Sequence, residues 1–199
     1  MSANLPSTAG YAENADALVK QYEASSFDRV HRDVLHLIPA APCRALDVGA
    51  GTGRDAAALA ALGHDVTAVE PTKELRDHGR RLHADVAVEW VDDSLPDLRL
   101  LFATPRRFDL VMLTAVWMHL DELERRMAMG TLADLLAPAG TLVMSLRHGP
   151  VPEGRRMFEV TGAETIDLAR RHGLAVVHEG ARKDGRPGVH WTVLGFRRR

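Results

Sequence analysis

Leu46-Asp47-Val48-Gly49-Ala50-Gly51-Thr52-Gly53 decides how this chain folds, together with Glu70, which lies seventeen residues beyond the last of these glycines. Arg44-Ala45-Leu46-Asp47-Val48 is a short apolar run that ends in glycines, and Arg54 to Leu62 is an Ala/Leu-rich stretch free of Gly and Pro. That order predicts strand, tight turn, helix. Gly63 then stops the helix, and Val66 to Val69 supplies a second strand. Glycines in such a turn remove Cβ atoms, permit positive φ, and let a ligand rest on backbone N–H groups at a helix N-terminus. An acidic residue at the tip of the next strand suits a ribose diol, and Glu70 holds that place. The stretch reads as a site for a nucleoside cofactor.

Residue order separates two such ligands. A dinucleotide fingerprint, G-x-G-x-x-G, would put its third glycine at position 54, where this chain has Arg54; the third glycine is Gly53. Asp47 adds to the distinction, because a carboxylate repels a pyrophosphate but attracts an ammonium and a sulfonium. A cationic amino-acid nucleoside is favoured over a nicotinamide dinucleotide.

Outward from the turn, strand and helix signals alternate. Tyr11 to Ala24 and Asp28 to Ile38 read as two helices ended by Pro39 and Pro42, behind a small polar lead over residues 1 to 10. Strands are predicted near 44–48, 65–70, 86–91, 108–113 and 140–146, with helices between them, which implies a parallel sheet covered on both faces. Gly173 to Glu179 and Val189 to Phe196 then form a hairpin around the polar loop Arg182 to Gly188. The expected fold is therefore a doubly wound α/β domain. Its sheet is Rossmann-like, seven-stranded and mostly parallel, with an antiparallel C-terminal hairpin and two N-terminal helices. Residues 1–199 read as one domain, with 1–43 a lead and helical cap and 44–199 the cofactor-binding core.

Composition excludes several classes. The chain has 199 residues, is 46% hydrophobic and carries a formal net charge of -2, so it shows no strong nucleic-acid signature, and Arg197-Arg198-Arg199 reads as a solvated tail. No basic-then-apolar segment opens the chain, and no apolar run approaches the roughly 18 residues that span a bilayer. Cys43 is the single cysteine and rules out an internal disulfide, which fits a cytoplasmic location. Ten histidines are present, yet no H-x-x-x-H or C-x-x-C pair, so no metal site is expected.

Asp47-Val48-Gly49-Ala50-Gly51-Thr52-Gly53, Glu70-Pro71, Asp92-Asp93-Ser94-Leu95-Pro96 and Phe108-Asp109-Leu110-Val111-Met112-Leu113 together resemble the successive motifs of class I S-adenosylmethionine-dependent methyltransferases, over roughly residues 44 to 196. The resemblance implies that the glycine turn holds the methionine part of S-adenosylmethionine, Glu70 the ribose hydroxyls, and Asp92 or Asp93 the adenine amino group, with S-adenosylhomocysteine as product. Thr114, Ala115 and Val116 would line the side near the transferring methyl, and Tyr11 would close over the cofactor. The segment Thr114-Ala115-Val116-Trp117 lacks the Asn-Pro-Pro-Tyr that grips adenine or glutamine amino groups in related enzymes. A cysteine nucleophile and a magnesium site are likewise disfavoured.

Open parallel sheets bind ligands at the carboxyl ends of their strands. Methyl transfer is a displacement that needs alignment and dryness, with a base only where the nucleophile arrives protonated. His148 is the candidate base, Arg147 the candidate clamp for a substrate carboxylate or phosphate, and His119 a further catalytic candidate, although such a histidine in related methyltransferases often packs under the cofactor loop. His190 and Trp191 on the closing hairpin, Trp117 after the fourth strand, and Tyr22 on the first helix stand near the same end. The expected function is methyl transfer to an O, N or S nucleophile of a small molecule, with an anionic group near Arg147. The expected partners are that acceptor and at most a second copy in a homodimer. Two alternatives keep the cofactor but not the reaction: cyclisation by attack on another sulfonium carbon, or a non-catalytic regulatory subunit.

Overall fold

The computed structural model describes residues 6–103, 105–183 and 185–199. Part of the expected lead (residues 1–5) and Asp184 of the hairpin loop lie outside them. The elements run α1 (Ala15–Glu23), α2 (Phe27–His31), β1 (Arg44–Val48), α3 (Arg54–Ala61), β2 (Asp65–Val69), α4 (Lys73–Leu82), β3 (Val88–Val91), β4 (Phe108–Thr114), α5 (Glu122–Leu135), β5 (Leu136–His148), α6 (Gly162–Arg171), β6 (Leu174–Lys183) and β7 (His190–Arg198). They build one seven-stranded sheet in the order β3-β2-β1-β4-β5-β7-β6. β1 to β5 pair in parallel, and β7 runs antiparallel to both β5 and β6. This is the expected Rossmann-like α/β architecture, with the last strand inserted between β5 and β6.

Strand periodicity distributes the core over the two faces. Leu46, Val48, Val111, Leu113, Leu142, Met144, Leu194 and Phe196 pack with α5 and α6 on one side, while Ala45, Leu110, Met112, Val143 and Val193 pack with α3 and Phe27 on the other. Asp47 and Thr114 continue the second face at the carboxyl ends of β1 and β4. There the apolar layer gives way to a polar floor. Among the described residues, no helix is long and apolar enough to cross a membrane.

Several boundaries differ from expectation. The first helix begins only at Ala15, after Asn14, whose side-chain amide donates back to the Gly10 carbonyl at 2.8 Å. The second is a single turn and more, because the Val34 N–H bonds to the His31 carbonyl rather than to that of Val30, which accepts from Arg182 instead. A separate 3-10 turn, Leu35–Leu37, replaces the rest of it. β5 starts at Leu136, directly from α5, and kinks at Ala139 (φ 59°) where its register with β4 shifts. The arginine tail is a correction: β7 extends through Arg198, whose guanidinium donates to the carbonyls of Ala133 and Leu136 at 2.6 and 2.5 Å and so caps the end of α5.

Candidate active site

The glycine turn leaves β1 and enters α3 through three positive-φ positions, Gly49 (71°), Gly51 (59°) and Gly53 (82°), conformations that side chains with a Cβ rarely adopt. The N–H groups of Gly49 and Ala50 donate to the Val69 carbonyl at 2.8 and 2.9 Å, which locks the turn to the tip of β2. Glu70, the next residue, is buried and accepts from the N–H groups of Gly51 (2.8 Å) and Thr72 (2.7 Å). Burial still pushes its carboxyl upward against those bonds. Arg76 donates to the Glu70 carbonyl and pairs with Asp92 at 3.0 Å, fixing the loop between β2 and α4.

Two aspartates sit beneath the turn with their carboxyls shifted in opposite directions. Asp55, in the first turn of α3, accepts from His31 Nε2 (2.8 Å), Arg54 Nε (2.7 Å) and Thr114 Oγ1 (2.7 Å). Burial opposes its ionisation, but the His31 and Arg54 bonds and charges outweigh it and hold the carboxyl below the usual range. Asp47 is 1% exposed, and its Oδ2 has no hydrogen-bond partner among the described residues. Burial, then the charge of Asp55 and that of Glu70, push its carboxyl well above the ordinary value. A buried carboxylate oxygen that borders a cavity without a donor is a place for a ligand cation.

That cavity, about 680 Å³, runs from the glycine turn to the far ends of β4 and β5. Asp47, Gly49, Ala50, Gly51, Thr52, Glu70, Pro71, Asp93, Ser94, Thr114, Ala115, Val116, Tyr11, His119 and Arg147 all line it, so the structure brings together most of the residues expected from the sequence. Asp93 lines it while accepting from the N–H groups of Ser94 (2.9 Å) and Leu100 (2.7 Å), which shapes the loop after β3. The positive-φ bend at Ala115 (61°) is held by its N–H donating to Ser145 Oγ at 3.1 Å.

Three expected site residues do not line the cavity. Gly53 caps α3 beneath the turn, where an added Cβ would lie 2.6 Å from the Trp90 ring. Asp92 is engaged by Arg76 as above, which leaves Asp93 as the acidic residue of that pair facing the cavity. His148 is the substantial correction. Arg147 and His148 are successive residues of a strand and face opposite ways, and it is Arg147 that faces the cavity. His148 shares a hydrogen with Thr192 Oγ1 (2.9 Å) and stacks on His190, ring centroids 4.6 Å apart. Trp117 is fully buried core.

His119 instead holds the centre of the far end. Its Nδ1 lies 2.7 Å from the Arg156 carbonyl and therefore carries the hydrogen, so Nε2 is an acceptor and Tyr11 donates to it at 2.9 Å. Burial lowers its basicity, aided by the charges of Arg155, Arg147 and Arg156, so the ring is neutral near neutral pH. The placement is stiff: Arg156 spans the capping box of α5, reaching Glu124 at 2.8 Å and Asp121 at 3.1 Å, and also donates to the His119 carbonyl at 3.0 Å. Asp55, His31, Ser145 and Arg155 were not singled out from the sequence. His31 and Asp55 lie in helices of unremarkable composition, and Arg155 lies in an irregular loop where no periodicity marks it.

Against known proteins, residues 45–140 match the family model described as a methyltransferase domain. Over that stretch the chain is similar to methyltransferase domains. The chain is 32% identical over 124 residues to Nodulation protein S of Rhizobium tropici, a match covering 61% of this chain and 50% of that protein. The chain thus spans about half the length of that curated relative. The fold resembles a TehB-like SAM-dependent methyltransferase from Corynebacterium glutamicum (TM-score 0.69, 23% identity, 95% of this chain and 98% of that one). It also resembles the 1,6-didemethyltoxoflavin-N1-methyltransferase of Burkholderia thailandensis, crystallised with S-adenosylhomocysteine (TM-score 0.66, 24% identity, 94% and 89%).

Proposed function

We propose that this protein transfers the methyl group of S-adenosylmethionine to an O, N or S nucleophile of a small molecule carrying an anionic group. The observation that carries the reading is the unpartnered Oδ2 of Asp47 at the floor of the cavity. A dinucleotide phosphate would meet three acidic side chains there, Asp47, Asp55 and Glu70, whereas an amino-acid ammonium beside a sulfonium would favour their ionised forms and satisfy the orphaned oxygen. Glu70 keeps lone pairs for a ribose diol after accepting two N–H groups, and Asp93, Ser94 and Leu95 flank the space for the base. The sulfonium supplies an electrophilic methyl, and the chain's own residues bind, align and exclude water.

The acceptor belongs at the end lined by Tyr11, His119, Arg147 and Trp191, where Arg147 supplies positive charge. For a nucleophile that arrives protonated, neutral His119 is the base in place of His148, reached through the Tyr11 hydroxyl: Tyr11 passes its proton to Nε2 while taking one from the acceptor. Burial, followed by the neighbouring Tyr22, keeps the Tyr11 phenol protonated. The test is product analysis with S-adenosylmethionine across small amines, phenols, thiols and hydroxy acids, each compared with an anionic analogue. Formation of S-adenosylhomocysteine together with a methylated anionic acceptor supports the reading. Release of methylthioadenosine without a methylated product points to cyclisation, and binding without turnover to a regulatory role.

A further inference from the structure

His119 senses three guanidinium groups, those of Arg155, Arg147 and Arg156. Arg156 is spent on Asp121, Glu124 and the His119 carbonyl, and Arg147 donates to the Pro150 carbonyl at 2.9 Å. Arg155 differs from both. Its guanidinium lies over the Tyr11 ring, 3.5 Å from the centroid, it lines the cavity, and its Nη1 is buried with no hydrogen-bond partner among the described residues. Stacking uses the flat face of the group and leaves its edge for a ligand. An unpaired buried donor is costly, and a planar fork is the shape that receives a carboxylate with two parallel hydrogen bonds.

The position of Arg155 is built rather than loose. The residues just before Arg155 and Tyr11, Gly154 and Gly10, meet backbone to backbone: a Cβ on Gly10 would lie 2.8 Å from the Gly154 carbonyl oxygen. Tyr11 donates to His119, and His119 donates to the carbonyl of Arg156, which adjoins Arg155 and closes a ring of contacts around the guanidinium.

Two oxyanions compete for that fork, the carboxylate of the cofactor's methionine and one on the acceptor. The ammonium and carboxylate of an amino acid share one carbon, so an ammonium on Asp47 keeps its carboxylate beside Asp47. Arg54 pairs with Asp55 beside Asp47 at 2.7 Å, whereas Arg155 stacks on Tyr11, which donates to His119. We infer that Arg155 is a specificity-determining residue that receives an oxyanion of the acceptor, with Arg147 as a second cation, and sets the nucleophile against Tyr11 and His119. The inference rests on the methyltransferase reading above.

Sodium acetate and inorganic phosphate, titrated by calorimetry and thermal shift against the full chain saturated with S-adenosylhomocysteine, test it, with sodium chloride as the ionic-strength control. Wild type is expected to give saturable binding of at least one oxyanion; preference for acetate assigns a carboxylate acceptor and preference for phosphate a phosphorylated one. In Arg155→Met that binding weakens at least about tenfold, and in Arg155→Lys, which keeps the charge but loses the fork, by less, while affinity for S-adenosylhomocysteine stays within about threefold in both. Retained oxyanion binding in Arg155→Met, or a tenfold loss of S-adenosylhomocysteine affinity in both variants, overturns the inference and in the second case gives Arg155 to the cofactor. Wild type that binds S-adenosylhomocysteine but no oxyanion also overturns it while leaving the cofactor reading intact. Wild type that fails to bind S-adenosylhomocysteine removes both.

Discussion

Asp47→Asn should move stability and cofactor affinity in opposite directions. Without a ligand, Asp47 holds a buried carboxyl with one oxygen unpartnered and two acidic neighbours, Asp55 and Glu70. An amide of the same shape removes the charge problem, and relief of such a buried polar group is worth about 1 to 3 kcal/mol. For a domain of this size each kcal/mol raises Tm by about 2 to 4 °C. The same change removes a charge-assisted bond to the ligand ammonium, about 1.5 to 3 kcal/mol, or a weakening of Kd by about ten- to 150-fold. The sign of the pH dependence follows from the raised carboxyl. Because the folded pKa lies above the unfolded value of about 3.9, the group's contribution to unliganded stability is full at low pH and is lost as pH rises from about 4 through the folded value. Affinity for S-adenosylmethionine should rise over that same interval, with proton release visible as a dependence of calorimetric heat on buffer ionisation enthalpy. Differential scanning calorimetry and titration of wild type and variant provide the readouts. A variant that melts lower without ligand, or binds S-adenosylmethionine as tightly as wild type, would refute the reasoning.

Other substitutions probe separate parts of the site. Glu70→Ala removes a carboxylate from the diol position and from two backbone N–H groups, so cofactor affinity should fall by about 1.5 to 3 kcal/mol in titration. His148→Ala should leave turnover within about twofold once an acceptor is known, because the side chain is not at the cavity; a loss of about a hundredfold, the low end of what a general base contributes, would return it to the mechanism. His119 has a lowered folded pKa, so its stabilising contribution is present above about 6.5 and is lost as pH falls through the folded value; His119→Phe should flatten stability against pH in that window. Gly10→Val should loosen the contact with the Gly154 loop, lower Tm, and weaken oxyanion binding more than S-adenosylhomocysteine binding.

The central β-turn-α-β unit was legible because its signal is local: glycines that relieve backbone strain sit between a strand and a helix, and an acid follows at the next strand tip. The mostly parallel sheet followed from the alternation of strand and helix signals, and its antiparallel end from the closing hairpin. What escaped was set by contacts between distant segments. The α2 helix stops early because a side chain from β6 takes one of its carbonyls, and Arg198 is ordered by carbonyls at the end of α5. Arg147 and His148 were separable only once β5 was known to run through both, since strand alternation lets one of them face the cavity. Arg155 gains its meaning from stacking on Tyr11, far away in sequence, and nothing in the loop's composition announces it.

The central claim is that the floor around Asp47 and Glu70 is built for a cationic amino-acid nucleoside. Calorimetric titration of the purified chain with S-adenosylmethionine, S-adenosylhomocysteine, NAD and NADH tests it most directly. The account predicts one-to-one binding of both sulfur nucleosides and no measurable binding of either dinucleotide. Tight binding of NAD or NADH, with neither sulfur nucleoside bound, would contradict it.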